Sequence, residues 1–398
     1  MSAVPDAIIK SWNYQKGFVT ANKEPKQNLV ADPYQTSRSF IVREHRRQKT
    51  QNLDWGTQSH EITIPQSYAI ISSCFLEITL PALNAGSYHP HPGMRAIQNL
   101  ELFCDGEKVF SVPYYEVMCE YVSSLPDRCA KQFLQDFMGR THNGVASGAS
   151  RVLICPLFLP NSHYLRREDG KHRNYGCFPN QLNETSKLRF RVTMSPAGAV
   201  TANGADDAGS ISDTTQFVST ILRSDEQTQR RFQSGNGVYS IQCPQFFEES
   251  GWTTVTANTP HDFSLLPRGC VTDLIVYSRP QTAHENDIVE RSEENKIEKL
   301  TLTCDSQKVI EMTKPEQRLM KFQQDVRDNL YVSNEARICF SNNAASNDKV
   351  NMGSFSFRNV AKCTLQVTAS EDAQVKVISK RMSKVFIRSD GKVVSSYE

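Results

Sequence analysis

The residues whose spacing comes closest to a metal site are His89 and His91, which flank Pro90. A His-x-His pair can coordinate a divalent metal ion when a glutamate follows within a few residues and a further histidine lies on a nearby strand. Here the next glutamate is Glu101, and the remaining histidines are dispersed along the chain. We therefore interpret the pair as part of a surface loop and predict no metal site.

Other motifs that carry chemistry are missing or incomplete. The sequence contains no G-x-S-x-G, no G-x-x-x-x-G-K-[ST] and no H-E-x-x-H, the patterns of a nucleophilic serine, a phosphate loop and a zinc protease. Gly170-Lys171 and Gly391-Lys392 lack the upstream glycine of a phosphate loop, so we interpret them as turn residues. The only glycosylation sequon begins at Asn183 and does not by itself predict a glycan. The sequence thus predicts no catalytic residue, no cofactor site and no enzyme.

Composition and length point to a soluble, globular chain. The 398 residues include 45 Lys+Arg and 43 Asp+Glu, and the net charge of +2 argues against wrapping nucleic acid by charge alone. The length suits about two domains. No run approaches the ~18 apolar residues of a membrane-spanning helix, so we expect none. Residues 1–12 lack the basic-then-apolar layout of a signal peptide, so we expect no secretory leader.

The cysteines are odd in number and scattered, with no C-x-x-C pair. A disulfide framework or a zinc cluster needs closer, paired spacing, so we predict reduced thiols and a reducing folding compartment. The 11 cysteines are Cys74, Cys104, Cys119, Cys129, Cys155, Cys177, Cys243, Cys270, Cys304, Cys339 and Cys363.

Apolar and polar residues mostly alternate with a period of two, which predicts half-buried strands of antiparallel sheets. The clearest examples are Cys74–Leu80, Lys187–Met194 and Lys362–Thr368. Turn dipeptides such as Asp105-Gly106 separate such runs.

Helical spacing is scarce. It occurs at Tyr114, Met118, Tyr121 and Leu125, and again at Phe133 and Phe137, with a break at Pro126. Short helices are also expected over 6–12 and over 226–232, the latter capped by Asp225. The small, polar stretch 195–213 predicts a long exposed loop.

The most informative feature is an internal duplication. Residues 97–109 (IQNLELFCDGEKV) and 297–309 (IEKLTLTCDSQKV) are identical at seven of 13 positions, at an offset of 200. Further pairs occur in the same order along the two halves, with one tryptophan shortly before the first paired strand of each. These segment pairs are 60–65 with 261–267, 74–80 with 273–278, and 186–195 with 361–370; the tryptophans are Trp55 and Trp252.

We infer an all-β chain of two tandem modules with one topology. Each has about eight strands joined mostly by long connections, which predicts a jelly roll, two four-stranded sheets packed face to face. The predicted division is an N-terminal arm over 1–30, a first jelly roll over 31–224, a linker with a short helix over 225–237, and a second jelly roll over 238–398.

Several segments, in this order, resemble the double jelly-roll major capsid proteins of icosahedral double-stranded DNA viruses, in particular those of nucleocytoplasmic large DNA viruses, polinton-like viruses and virophages. The resemblance runs from about residue 38 to the C-terminus. The segments that carry it are FLEITLPAL (75–83), 97–109, VLICPLFLP (152–160), SDEQTQRRF (224–232) with YSIQCPQF (239–246), LLPRGCVTDLIVYSRP (265–280), NMGSFSFRNVAKCTLQV (351–367) and VKVISKRMSKVFIRSDGKVVSSY (375–397).

The resemblance implies a structural subunit without cofactors. Three copies would form a pseudo-hexameric capsomer that contacts neighbouring capsomers and minor capsid or penton proteins in the virion, after assembly inside the infected host cell. It implies no sequence-specific nucleic-acid partner and leaves an internal membrane open. We expect the arm to order within the particle, against the alternative of a disordered terminus. The basic cluster Arg43, Arg46, Arg47 and Lys49 could face a membrane or genome, but we favour a solvated strand face.

Three other functions compete with this interpretation. A non-viral two-domain jelly-roll carbohydrate-binding module, lectin-like, would stay monomeric or dimeric. A cupin-type metalloenzyme would contain stoichiometric metal. A minor capsid or penton protein usually has a single jelly roll, so the duplication argues against it.

Overall fold

The described part of the chain consists mainly of antiparallel strands. The computed structural model describes residues 20–21, 42–50, 52–56, 59–64, 70–83, 87–89, 91–124, 127–139, 145–146, 151–159, 188–201, 209–223, 239–267, 269–281, 295–324, 335–340, 354–387 and 393–397. No helix among them is long and apolar enough to cross a membrane.

The first half contributes strands β1 to β11 and helices α1 to α4. The strands are β1 (Thr20–Ala21), β2 (Val42–Lys49), β3 (Ser59–Thr63), β4 (Ile70–Leu80), β5 (Ser87–Tyr88), β6 (Ile97–Cys104), β7 (Glu107–Pro113), β8 (Val145–Ala146), β9 (Arg151–Leu157), β10 (Leu188–Met194) and β11 (Gln216–Arg223). The helices are α1 (Pro92–Arg95), α2 (Tyr114–Ser124), α3 (Asp127–Asp136) and α4 (Ala197–Val200).

The second half contributes strands β12 to β21 and helix α5. The strands are β12 (Tyr239–Val255), β13 (His261–Leu265), β14 (Cys270–Pro280), β15 (Ile297–Cys304), β16 (Gln307–Thr313), β17 (Glu335–Cys339), β18 (Phe355–Ser356), β19 (Cys363–Ala369), β20 (Ala373–Ile387) and β21 (Val393–Tyr397). Helix α5 is Lys314–Gln324.

The two halves have the same sheet topology. The first half forms four-stranded sheets in the orders β2-β11-β4-β9 and β3-β10-β6-β7. The second half forms β12-β20-β14-β17, extended by β1, β18 and β21, and β13-β19-β15-β16. Both halves have the jelly-roll strand order, and each of the eight strands in the two first-half sheets has a counterpart at the same place in the second half. The predicted fold of two tandem jelly rolls is confirmed.

The duplication is visible in the element boundaries. Four pairs of elements start and end 200 residues apart: β4 and β14, β6 and β15, β7 and β16, α2 and α5. Residues on these elements can therefore be compared one to one by adding 200.

Alternating burial explains why these segments form the sandwich cores. In β10 the residues Leu188, Phe190, Val192 and Met194 are buried while those between them are partly exposed. The counterpart β19 shows the same alternation. A strand with one apolar face must place that face against another sheet, and the two sheets of each half meet in this way.

The hairpin turns of the two halves differ by one residue. Asp105 and Gly106 have φ angles of 50° and 88°, and Asp305 and Ser306 have 48° and 67°. Two successive left-handed residues match the right-handed twist of the strands that they join. Glycine adopts this conformation without cost, whereas serine is strained by its Cβ.

Several predictions on local structure are confirmed and others are wrong. Helices α2 and α3 lie where helical spacing predicted them, separated at 125–126. Trp252 precedes the first paired strand of its half, β13, as predicted, and lies inside β12, which continues through irregular pairing after Glu248. Of the predicted arm, the two described residues form β1 and pair with β12.

The long exposed loop predicted over 195–213 is wrong for 195–201, whereas 209–213 lies outside helices and strands, with Gly209, Ser210 and Asp213 exposed. Ser195 and Thr201 are buried, as are most residues of α4 between them, and Ile211 is fully buried. Small Ala and Gly side chains, which suggested a loop, let α4 approach α1 closely. Residues 202–208 lie outside the described residues.

Other predictions fall on residues that the structure does not describe. These are the helices over 6–12 and 226–232 and every proposed domain boundary, at 30/31, 224/225 and 237/238. They stay predictions.

The turn comparison gives a matched pair of substitutions. We expect Ser306→Gly to raise, and Gly106→Ser to lower, the free energy of unfolding by about 1 kcal/mol each, since only a left-handed φ is relieved or imposed. A Cβ on Gly106 would meet no atom within 4 Å, so no clash adds to the effect. Denaturation of both variants beside the unmodified chain measures this; shifts in the same direction would contradict the explanation.

Candidate assembly seam between the two jelly rolls

The sheet containing β14 is apolar on both faces, unlike its counterpart in the first half. Burial alternates along β4 from Ser73 to Leu80, whereas in β14 every residue from Val271 to Arg279 is buried. Leu274 and Val276 belong to the core of the second jelly roll. Ile275 and Tyr277 point to the opposite face and are 1% and 3% exposed. Something outside the second jelly roll must cover that face.

The first jelly roll supplies the cover. One continuous apolar cluster joins residues of α2 and β7 to residues of β12, β14 and β20. We call this contact the seam. Its members from the second half include Phe246, Ile275, Tyr277 and Ile378. From the first half, Val109, Glu116 and Cys119 interact with residues of the second half.

Backbone of the first half also takes part in the seam. The buried side chain of Gln245, on β12, donates a hydrogen bond from Nε2 to the carbonyl oxygen of Val109, on β7, at 3.1 Å. Val109 itself is 1% exposed. A buried amide with a partner on the other half fixes the position of one jelly roll against the other, because losing that bond leaves a buried polar group unsatisfied.

A buried lysine is the main charged contact of the seam. Lys376 Nζ, on β20, lies 2.9 Å from Glu116 Oε1 on α2 and 2.9 Å from Glu248 Oε2 on β12. The side chains of Lys376 and Glu116 are each 11% exposed. Burial alone would lower the pKa of Lys376, but the two carboxylates outweigh it and raise that pKa above its ordinary value.

Tyr277 lies in the same buried patch, beside Lys376 in the strand register. Burial is the largest cause that raises the pKa of its hydroxyl, and the charges of Glu335 and Glu116 add to it. Tyr277 therefore stays neutral at physiological pH. The seam thus combines an apolar patch with Lys376, which lies between two carboxylates, and with Arg337, which lies opposite Ile275 and 3.8 Å from both Asp273 and Glu335.

The residues singled out by sequence do not come together into a site. His89 and His91 are partly buried, and no group of three or more His, Cys, Asp or Glu side chains within the described ranges could hold a metal ion. In the basic cluster, Arg47 pairs with Glu77 at 2.8 Å and Arg46 with Glu44 at 3.1 Å. Residues 170–171, 391–392 and 183–185 lie outside the described residues.

The cysteines that the structure describes are free thiols, and all but one are buried. They are Cys74, Cys104, Cys119, Cys155, Cys270, Cys304, Cys339 and Cys363, of which Cys270 is partly exposed. Burial raises the pKa of Cys155 to about 12 and also raises that of Cys304. These buried cysteines behave as small apolar residues.

Sequence reasoning missed the seam. The pair Lys376 and Glu116 is separated by 260 residues, so no local pattern reveals it. One signal was present: Leu274–Tyr277 is a run of four consecutive apolar residues without the alternation of β10 or β19, and such runs are typical of strands buried on both faces.

Several solved structures with low sequence identity to this chain have a similar overall fold. VP54 of PBCV-1, fitted into a reconstruction of the virophage Sputnik, matches with a TM-score of 0.67 at 12% identity, over 90% of this chain and 97% of that one. The mavirus major capsid protein matches with a TM-score of 0.53 at 9% identity, over 89% of this chain and 90% of that one. The Faustovirus major capsid protein matches with a TM-score of 0.52 at 9% identity, over 95% of this chain and 97% of that one.

This chain has the double jelly-roll fold of those capsid proteins. At these identities the similarity concerns the fold. No protein-family model matches the sequence, and no curated protein sequence matches it either.

The seam predicts a large cost for removing Lys376. We expect Lys376→Met to lower the free energy of unfolding by about 3 kcal/mol, because the Glu116 side chain, 11% exposed, then loses its partner beside an apolar patch, whereas Glu248, 49% exposed, stays open to solvent. Lys108→Met is the control: Lys108 makes an exposed ion pair with Glu101 at 3.1 Å, worth less than about 1 kcal/mol. Equal losses in chemical denaturation would contradict the assignment.

The same contact has a pH dependence of known sign. A lysine whose pKa is raised on folding contributes stability in full below the ordinary value of 10.5 and loses it as pH rises through the folded pKa. We therefore expect the unmodified chain to lose more stability than Lys376→Met in titrations above about pH 10.

Proposed function

We propose that this chain is the major capsid protein of an icosahedral double-stranded DNA virus and that it assembles as a homotrimer. The observation that carries the proposal is the repetition of one jelly roll, with the same strand order, twice in one chain. Support also comes from the shared fold with the major capsid proteins of mavirus and Faustovirus.

Geometry explains why the duplication suits a shell. Three copies of a two-barrel chain place six similar barrels in a ring, and such a capsomer can occupy a hexagonal lattice while obeying threefold symmetry. The seam joins unlike surfaces, a helix face on one barrel and a sheet face on the other. Contacts of this head-to-tail kind generate rings when the rotation closes.

The proposal includes the role of the rest of the chain. The protein acts without catalysis or cofactor, and its partners are its own copies, neighbouring capsomers and minor capsid or penton proteins of the virion. The chain is divided into an arm (1–30), two jelly rolls (31–224 and 238–398) and a linker (225–237). Cupin-type metal chemistry gains no support, since no described cluster offers a ligand set.

Mass measurement with negative-stain imaging of the purified full chain tests the proposal. We expect particles of about three chains with a hexagonal outline. A monodisperse monomer under all conditions of concentration and salt would contradict it and favour a two-domain carbohydrate-binding module instead.

A further inference from the structure

The seam uses one helix surface and one sheet surface of the duplicated jelly rolls, and a second pair of such surfaces remains that one chain cannot join by itself. Helix α2 and strand β7 of the first jelly roll cover the second sheet, so the corresponding surfaces of the duplicate are left over. We call them the helix face, formed by α5 and β16, and the sheet face, formed by the outer side of β2, β11, β4 and β9. Each is the counterpart of a surface that the chain itself covers.

Exposure on the helix face supports this. Val109 and Cys119 are 1% and 2% exposed in the seam. Their counterparts Val309 and Leu319, 200 residues later, are 37% and 55% exposed. These apolar positions are buried in the first jelly roll and exposed in the second. An exposed apolar surface of this kind indicates a contact with another protein surface.

The sheet face has the same character. Phe75 takes the place of the buried Ile275 and is only half-buried, while Val152 on the adjacent β9 is 47% exposed. Within the described residues, three of the five large apolar side chains classed as exposed lie on the helix face or the sheet face. The five are Phe137, Val152, Leu266, Val309 and Leu319.

The charged residues of the helix face and the sheet face differ from those of the seam. Glu316 on α5 corresponds to Glu116, and it is exposed. In the sheet register, Gln216 lies opposite Glu77 as Lys376 lies opposite Tyr277. The neutral Gln216 thus replaces the seam lysine.

A cation nevertheless remains on the sheet face. Arg47 lies opposite Val218, as Glu248 lies opposite Ile378. Arg47 already pairs with Glu77 on this face at 2.8 Å, so a docked Glu316 would share that guanidinium, in place of the carboxylate–lysine–carboxylate contact of the seam.

We propose that the helix face of one copy of this chain docks on the sheet face of a second copy, in the manner of the seam, with Leu319 and Val309 on its apolar part and Glu316 beside Arg47. The inference rests on the proposed function and names the surfaces through which the trimer closes. Each chain uses both faces once, so the contact repeats around a ring until the first chain is reached again.

Crosslinking tests the position of the contact. Glu316→Cys and Gln216→Cys are the counterparts of Glu116 and Lys376, whose Oε1 and Nζ lie 2.9 Å apart. In the full chain carrying both changes, a short bis-maleimide should link chains to one another up to the trimer on a denaturing gel. Each single variant, and the unmodified chain with its own cysteines, should give only background.

Substitution tests the energetics. Leu319→Asp and Val152→Asp should each shift the purified protein toward monomer in light-scattering mass measurements. Leu266→Asp should leave the mass unchanged, since Leu266 is 76% exposed and lies outside both faces. Thermal denaturation of each variant checks that the jelly rolls remain folded.

Reversing the charges of the proposed ion pair between Glu316 and Arg47 gives a rescue experiment. Glu316→Arg or Arg47→Glu alone should weaken assembly, and the double variant should recover it at least in part.

The outcomes separate this inference from the proposed function. If the double-cysteine variant forms trimers whose chains bis-maleimide does not link, or if trimers persist in both Leu319→Asp and Val152→Asp, the docking surfaces are overturned and the capsid proposal stands. An unmodified chain that is monomeric under all conditions would overturn both. Crosslinked trimers that the two substitutions dissociate would support both.

Discussion

A sheet with two apolar faces must be covered on both, and in this chain the sheet of β12, β20, β14 and β17 is such a sheet. One face packs on the second sheet of its own jelly roll, and the other packs on α2 and β7 of the first. The relation between the two halves follows from that requirement. The buried Lys376, between Glu116 and Glu248, then fixes the position at which they meet.

Duplication explains how one chain came to have both the cover and the covered surface. After a copy of a jelly roll is placed next to the original, each half retains a helix face and a sheet face, and only one of each can be used within the chain. The used pair has become more apolar on the sheet side, with Ile275 and Tyr277 where the other sheet has Phe75 and Glu77. The unused pair keeps more polar groups, as expected of a surface that must stay soluble before assembly.

Much of the fold could be predicted from sequence because its signals are local or repeated. Alternation marked strands such as β10 and β19, and the identities between 97–109 and 297–309 located the duplicate hairpin. The expectation of an exposed loop failed over 195–201 because Ala and Gly suit both a loop and a tightly packed short helix such as α4. Composition alone does not distinguish the two.

The seam lay beyond sequence reasoning for a different reason. Its contacts join residues far apart along the chain, such as Gln245 with Val109, 136 residues away. A half-apolar strand face can be exposed to solvent or packed against another domain. Which of the two occurs depends on the other domain, and the sequence of the strand does not specify it. The four consecutive apolar residues Leu274–Tyr277 of β14 were the one local hint.

The most direct test is a cryo-EM reconstruction of the assembled full chain at a resolution that shows helices. The account expects six barrels in a ring, with α2 on the second sheet inside each chain and α5 on the β2-β11-β4-β9 sheet of the next chain, in alternation. Barrels that meet through like surfaces, related by a twofold axis, or an α5 directed to solvent in the closed assembly, would contradict it.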